Sequence, residues 1–243
     1  MRYNIPMRMT LVALVLTLSS CAPPRRACGE LQTTPAEITL AAQSSAFSAS
    51  DMTACTDPPW FPTADTALPN LLIIGDSISY GYTDYLAPLL AGRYDVFHNN
   101  CNGRTSRNGV LKVDQWLSEA SHWDVILFNH GLWDLHEDLG MTAGDYRRNI
   151  STLASKLREH APRVYFVATT LVPSGDGDRT QGQEIVFNKI AQEETSGCGI
   201  GYIDLHAFSR TQSHLMLDPV GMQDVHFTAQ GYENLAGFIL GHL

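Results

Sequence analysis

The stretch Asn70-Leu71-Leu72-Ile73-Ile74-Gly75-Asp76-Ser77-Ile78-Ser79 decides the fold. Four consecutive apolar residues, Leu71 to Ile74, lack any polar alternation, which is the pattern of a strand buried on both faces. Gly75 then permits a tight turn, and the turn delivers a serine hydroxyl. A hydroxyl just beyond such a strand stands at the carboxyl edge of a parallel sheet, where open α/β folds keep their ligand crevices. The same texture continues outward to the C-terminus. Strands are expected at Leu71 to Ile74, Tyr94 to His98, Asp124 to Phe128, Val164 to Thr169 and Gly199 to Asp204. Helices are expected at Asp84 to Leu90, Asn108 to Ala120, Ala143 to His160, Gly182 to Glu194 and Ala229 to Leu240. This alternation predicts one three-layer α/β/α sandwich on a five-stranded parallel sheet with right-handed crossovers.

Upstream of this domain the composition shifts. Arg2 and Arg8 precede an apolar run, Leu11 to Leu18, that ends in small residues, the pattern of a secretory leader over residues 1–20. The run is about half the length of a membrane-spanning helix. Leu18-Ser19-Ser20-Cys21 resembles a bacterial lipobox, which makes Cys21 the lipid attachment site and the bacterial cell envelope the expected location. Residues 21–69, rich in Pro, Ala, Ser and Thr, read as a tether and irregular lead-in to a domain at 70–243. Cys28, Cys55, Cys101 and Cys198 remain for disulfides in an oxidising compartment, and their three pairings stay open. With 44% hydrophobic and 17% charged residues the chain is neither disordered nor a multi-span membrane protein. Its net charge of -9 repels phosphate backbones, so nucleic acid is not an expected partner and membrane contact is expected only through the lipid anchor.

Ser77 needs a base to become a nucleophile. Asp224-Val225-His226, after the last strand and before the final helix, brings an imidazole back to the same sheet edge with a carboxylate nearby to orient it. Alone, Ser77 would be an N-cap or turn serine and His226 a polar loop residue; their joint placement on one edge favours catalysis.

Gly75-Asp76-Ser77-Ile78-Ser79 together with Asp224-Val225-His226-Phe227-Thr228 resembles the SGNH (GDSL-type) hydrolase superfamily, over about Asn70 to Leu243. The resemblance implies a flavodoxin-like sandwich, Ser77 as nucleophile, His226 as base and Asp224 as orienting acid. It also implies an oxyanion donor at Gly103, within Asn102-Gly103-Arg104-Thr105-Ser106. The third block departs from Gly-x-Asn-Asp. Asn129-His130-Gly131-Leu132-Trp133-Asp134 puts Trp133 where the asparagine belongs, so Asn129 becomes the favoured side-chain donor, with Trp133 and His130 as the others. Asp76, Trp133 and His130 are the expected pocket residues. The last block departs as well, since the usual Asp-x-x-His spacing falls on Gln223. Either Asp224 acts from a shifted loop, or Ser77 and His226 form a dyad whose Nδ1 proton goes to Gln223 or a backbone carbonyl.

His136, His206 and His214 read as surface or loop histidines, and Pro173 to Asp178 as a polar loop over the site without the calcium-loop pattern. The expected protein is an exported serine esterase that removes short acyl groups, acetyl first, from a small-molecule or carbohydrate ester, with no metal or organic cofactor. A lipase or thioesterase for longer acyl chains, acyl transfer onto a sugar, and a non-catalytic glycan-binding lipoprotein are the alternatives.

Overall fold

The computed structural model describes Cys28 and residues 67–217 and 224–243. The leader, the Cys21 lipid site, the lead-in apart from Cys28 and residues 67–69, and Gln223 lie outside the described residues.

Five parallel strands form one sheet: β1 (Asn70–Ile74), β2 (Asp95–His98), β3 (Val125–Phe128), β4 (Arg163–Val167) and β5 (Gly201–Ile203), in the order β2-β1-β3-β4-β5. The central strands carry the apolar runs because helices cover both their faces. Leu71, Leu72 and Ile73 of β1 and Val125, Ile126 and Leu127 of β3 are wholly buried. Among the described residues six α-helices supply the outer layers: α1 (Ser77–Leu89), α2 (Ser106–Leu117), α3 (Ala143–His160), α4 (Gln183–Gly197), α5 (Leu205–Thr211) and α6 (Ala229–Leu240). α1 packs on α6, which also meets α5, while α3 packs between α2 and α4. This is the expected α/β/α sandwich.

Two elements differ from the sequence reading by more than three residues. α1 begins at Ser77, one turn and more before the expected Asp84, because Asp76 caps it: its carboxylate accepts the Ile78 N–H at 3.0 Å. The aspartate that was expected only at the pocket is therefore a helix cap. α5 was not expected at all; Asp204 caps it through the Ala207 N–H at 3.0 Å, and its seven residues are too few to show a helical period.

Cys28 is bonded to Cys198, which follows α4, so the pairing that joined Cys28 to Cys55 and Cys101 to Cys198 is excluded. Cys101 is disulfide-bonded too. Among the described residues no helix is long and apolar enough to cross a membrane.

Candidate active site

Ser77 is the first residue of α1, so its side chain stands at the carboxyl edge of β1 and its N–H has no carbonyl of the same helix to meet. The segment that returns to it alternates. Val225 and Phe227 are buried at 4% and 2% exposure, which turns Asp224 and His226 the other way, toward Ser77. Met216 and Phe227 form an antiparallel bridge, and the Leu217 N–H donates to the His226 carbonyl at 2.9 Å, so the histidine is held on both sides. Thr228 then caps α6.

His226 Nε2 lies 2.8 Å from Ser77 Oγ, and His226 Nδ1 lies 2.7 Å from Asp224 Oδ1. The two-residue spacing works because the same carboxylate oxygen accepts the His226 backbone N–H at 3.1 Å, an Asx turn that folds the acid back under its own histidine. Burial pulls the Asp224 carboxyl upward, but the hydrogen bonds from His226 outweigh it and hold it below the usual 3.8. A carboxylate on Nδ1 leaves the Nε2 lone pair facing the serine, the tautomer a general base needs.

The donors expected around an oxyanion are placed differently. Gly103 lies against the nucleophile turn, where a Cβ would come within 2.5 Å of the Gly75 carbonyl oxygen, so only glycine fits. Its N–H donates to that carbonyl at 2.8 Å. Asn129 sits at the end of β3, but its amide donates to the Val167 carbonyl at 2.6 Å and reaches Thr169 Oγ1 at 3.5 Å. Both hydrogens thus clasp the ends of β3 and β4. His130 donates from Nδ1 to the Arg104 carbonyl at 3.1 Å, and burial lowers its pKa to about 4, so the ring is neutral with its one N–H already engaged.

A second serine–histidine contact lies behind the turn. Ser79 Oγ is 2.7 Å from His98 Nε2 and 2.7 Å from the Asp76 carbonyl. Ser79 and His98 are 1% and 0% exposed, so no ester can reach them; the pair braces the turn from inside. Asp76 is 1% exposed as well, and burial raises its carboxyl while the Ile78 N–H, His226 and Arg179 oppose the rise.

The profile of the GDSL-like Lipase/Acylhydrolase family matches residues 73–233, a span that contains Ser77, Gly103 and His226. The chain belongs to this family. It is a GDSL-type ester hydrolase, with the five-stranded α/β fold of its superfamily. A lipase/acylhydrolase from Enterococcus faecalis superposes with TM-score 0.63 at 21% identity, covering 72% of this chain and 95% of that one. An acetylxylan esterase from Geobacillus stearothermophilus gives 0.57 at 17% identity, over 71% and 93%. An aryl esterase from M. smegmatis gives 0.58 at 18% identity, over 72% and 97%. At these identities the likeness is one of fold. No curated protein matches the sequence.

Beside the Gly103 loop the hydrolase has an aromatic wall in which Trp133, expected at the pocket, is joined by His136, which was not. Trp133 is half-buried, with the Arg104 guanidinium 5.6 Å from its ring centre and the His136 ring stacked on it at 6.4 Å. His136 meets Asp178 at 3.4 Å, so it belongs to this wall and is not a plain surface histidine. His206 pairs with buried Glu184, and His214 is exposed. The polar loop after β4 is tied down from within: Arg179 donates to the Leu132 carbonyl at 2.7 Å and pairs with Asp176 at 3.1 Å. Among the described residues no cluster of His, Cys, Asp and Glu could hold a metal ion.

Asp134 joins this wall to α2. Both its oxygens accept the Ser106 N–H, at 2.9 and 3.0 Å, and Oδ1 accepts the Ser106 hydroxyl at 2.5 Å. Burial pushes its carboxyl up to about 7, against the pull of those bonds. Because an unfolded aspartate titrates near 3.8, the folded state binds this proton more tightly, and that stabilisation is complete below 3.8 and lost as pH rises through about 7. The urea midpoint of the wild type is therefore expected to fall relative to that of Asp134→Asn between pH 4 and pH 7. Parallel profiles for the two proteins would contradict it.

Proposed function

We propose that the hydrolase is a serine esterase for short acyl groups on carbohydrate, working through an acyl-enzyme on Ser77. The observation that carries the mechanism is the unbroken chain Asp224–His226–Ser77, at 2.7 and 2.8 Å. As Ser77 Oγ forms its bond to the ester carbonyl carbon, its proton passes to His226 Nε2, and Asp224 stabilises the imidazolium. The same proton then protonates the departing alkoxide as the C–O bond breaks. Water repeats the sequence on the acyl-enzyme, losing its proton to His226 and returning Ser77 to its hydroxyl form.

The Ser77 N–H, at the positive end of α1, is the donor best placed for the oxyanion. Gly103 N–H and the Asn129 amide take part only by giving up the Gly75 and Val167 carbonyls. The geometry thus favours Asp224 over a Gln223-supported dyad, and one strong backbone donor over a ready set of three.

The substrate reading rests on the wall. A groove of about 490 Å³ opens between the loop after β3 and the start of α4, lined among others by His136, Glu137, Met141, Gln183 and Val186. Its mixture of hydrogen-bonding and apolar groups suits the hydroxyls and C–H faces of sugar rings, and it begins at the histidine stacked on Trp133. The fold neighbour from Geobacillus stearothermophilus is an acetylxylan esterase, which supports the same class by analogy. Export and lipid anchoring through Cys21 would place the enzyme where such polymers occur. Ile185 and Val186, 55% and 54% exposed, favour the second reading, a hydrolase of longer acyl chains. Acetyl, butyryl and octanoyl esters of p-nitrophenol, alongside an acetylated xylo-oligosaccharide, decide between them. The expected result is that kcat/KM falls from acetyl to octanoyl and is highest for the oligosaccharide. A maximum at octanoyl would establish the second reading instead.

A further inference from the structure

Two non-glycine residues among those described adopt positive φ: Cys101 at 68° and Arg104 at 50°. Both flank Gly103 in the loop between β2 and α2. Side chains with a Cβ rarely enter this left-handed region, and they stay there only where surrounding contacts over-determine the backbone. At the Arg104 end the contacts include the His130 Nδ1–H bond to the Arg104 carbonyl and the Arg104 N–H bond to Asn102 Oδ1 at 2.9 Å. At the Cys101 end they include Asn99, whose Nδ2 donates to the Cys101 carbonyl, and the Cys101 disulfide.

Asn99 does more than hold one end. The residue is fully buried at the end of β2. Its Oδ1 accepts the Gly75 N–H at 2.8 Å, and its backbone N–H donates to the Ile73 carbonyl at 2.9 Å. Its carbonyl accepts the Tyr80 hydroxyl of α1 at 2.9 Å and faces His98 Nδ1 at 3.0 Å. Gly75 is thus gripped from two sides, its N–H by Asn99 and its carbonyl by Gly103. The Gly75-Asp76-Ser77 turn is thus tied to the strained loop directly through Gly103 and through the side chain of Asn99.

We propose that Asn99 is a positioning residue that locks the Cys101–Arg104 loop to the Ser77 turn and so sets the aim of the nucleophile and of the backbone donors beside it. The inference rests on Ser77 being the nucleophile. Asn99 touches no substrate; it acts through Gly75 and Cys101. An aspartate in its place keeps an acceptor for the Gly75 N–H but sets a second oxygen against the Cys101 carbonyl, so the loop end is released while the turn is still held. Alanine releases both.

The test uses the wild type, Asn99→Asp, Asn99→Ala, Tyr80→Phe and, as a stability control in the core of α3, Ile150→Val. For each, kcat and KM on p-nitrophenyl acetate, Tm, and the rate of inactivation by a fluorophosphonate are measured well below Tm. The phosphonate forms a tetrahedral adduct on the serine, so its rate reports nucleophile and oxyanion aim directly. Mis-aiming one oxyanion donor costs roughly 10²-fold, so both Asn99 variants are expected to lose at least about tenfold in kcat and in inactivation rate, with KM within about threefold. Tyr80→Phe, which removes one neutral hydrogen bond to the Asn99 carbonyl and keeps its side chain, is expected to lose roughly fivefold, and it decides the matter if neither Asn99 variant folds. Unchanged kcat and inactivation rate in the folded variants, or losses that merely follow Tm as in Ile150→Val, would overturn the proposal. A wild type that the phosphonate labels at some residue other than Ser77 would instead remove the reading on which it rests.

Discussion

Ser77→Ala is expected to lower turnover of p-nitrophenyl acetate by at least about 10⁴-fold while leaving the urea midpoint close to that of the wild type. The size follows from losing the group that forms the covalent bond; what remains is binding and any help from the α1 N-terminus to direct attack by water. The stability expectation follows from the surroundings. Ser77 is half-buried, its hydroxyl contact is with His226, and the cap that begins α1 belongs to Asp76. His226→Ala should match Ser77→Ala within about tenfold, and the double variant should be no worse than the single ones, because nucleophile and base act as one unit. Additive losses would mean that the two side chains serve different steps.

Asp224→Asn is the second large effect, expected at roughly 10²–10⁴-fold in kcat with little change in KM. An asparagine amide facing Nδ1 can reverse the imidazole tautomer, so that Nε2 carries the hydrogen and cannot take the serine's. The Asp224 side chain is 40% exposed, which screens its charge and argues for the lower part of that range. Its carboxyl is held below the usual 3.8, so the acid limb of the activity profile above pH 5 is not its titration. An Asp224→Asn enzyme within threefold of the wild type would show that Nδ1 is served by another acceptor and restore the dyad that the sequence left open. This experiment also bears on the glycan-binding alternative, because a degenerate site would have no reason to keep an ordered acid behind an ordered base.

The fold was legible wherever burial dictates composition. Leu71 to Ile74 and Val125 to Phe128 could be recognised as central strands because a strand covered on both faces has no place for a polar residue. α3 begins and ends where expected, at Ala143 and His160, because its period is long and Thr142 with Asp145 forms a capping box. What escaped was set by single contacts. The start of α1 depends on the Asp76 cap, α5 on the Asp204 cap, and neither cap precedes a long apolar period. The disulfide from Cys28 to Cys198 joins residues 170 apart, and spacing says nothing about which loops meet.

At the candidate site, the convergence of Ser77, His226 and Asp224, now seen at hydrogen-bond distance, was legible because each has its chemistry in its side chain and its place at a strand end or before a helix. The groups that hold them were not. Asn99 and Arg104 look like ordinary loop residues; no feature of an arginine or a cysteine announces a positive φ, and a buried asparagine joining two backbones has no motif. Asn129 shows the converse. An amide at the end of β3 looked available for an oxyanion, yet β4 ends beside it, and the Val167 carbonyl takes its hydrogen. His136 was set aside because no motif needed it, and only the stacking on Trp133 brings it to the wall.

The central claim is a covalent intermediate on Ser77. Mixing the enzyme with excess p-nitrophenyl acetate, quenching in acid within the first turnovers and mapping the peptides by mass spectrometry tests it most directly. The account predicts one acetyl group on the peptide that contains Ser77, absent from Ser77→Ala and lengthened in lifetime by Asp224→Asn. Rapid turnover with no acetylated peptide, or an acetyl group carried by a different residue, would contradict it.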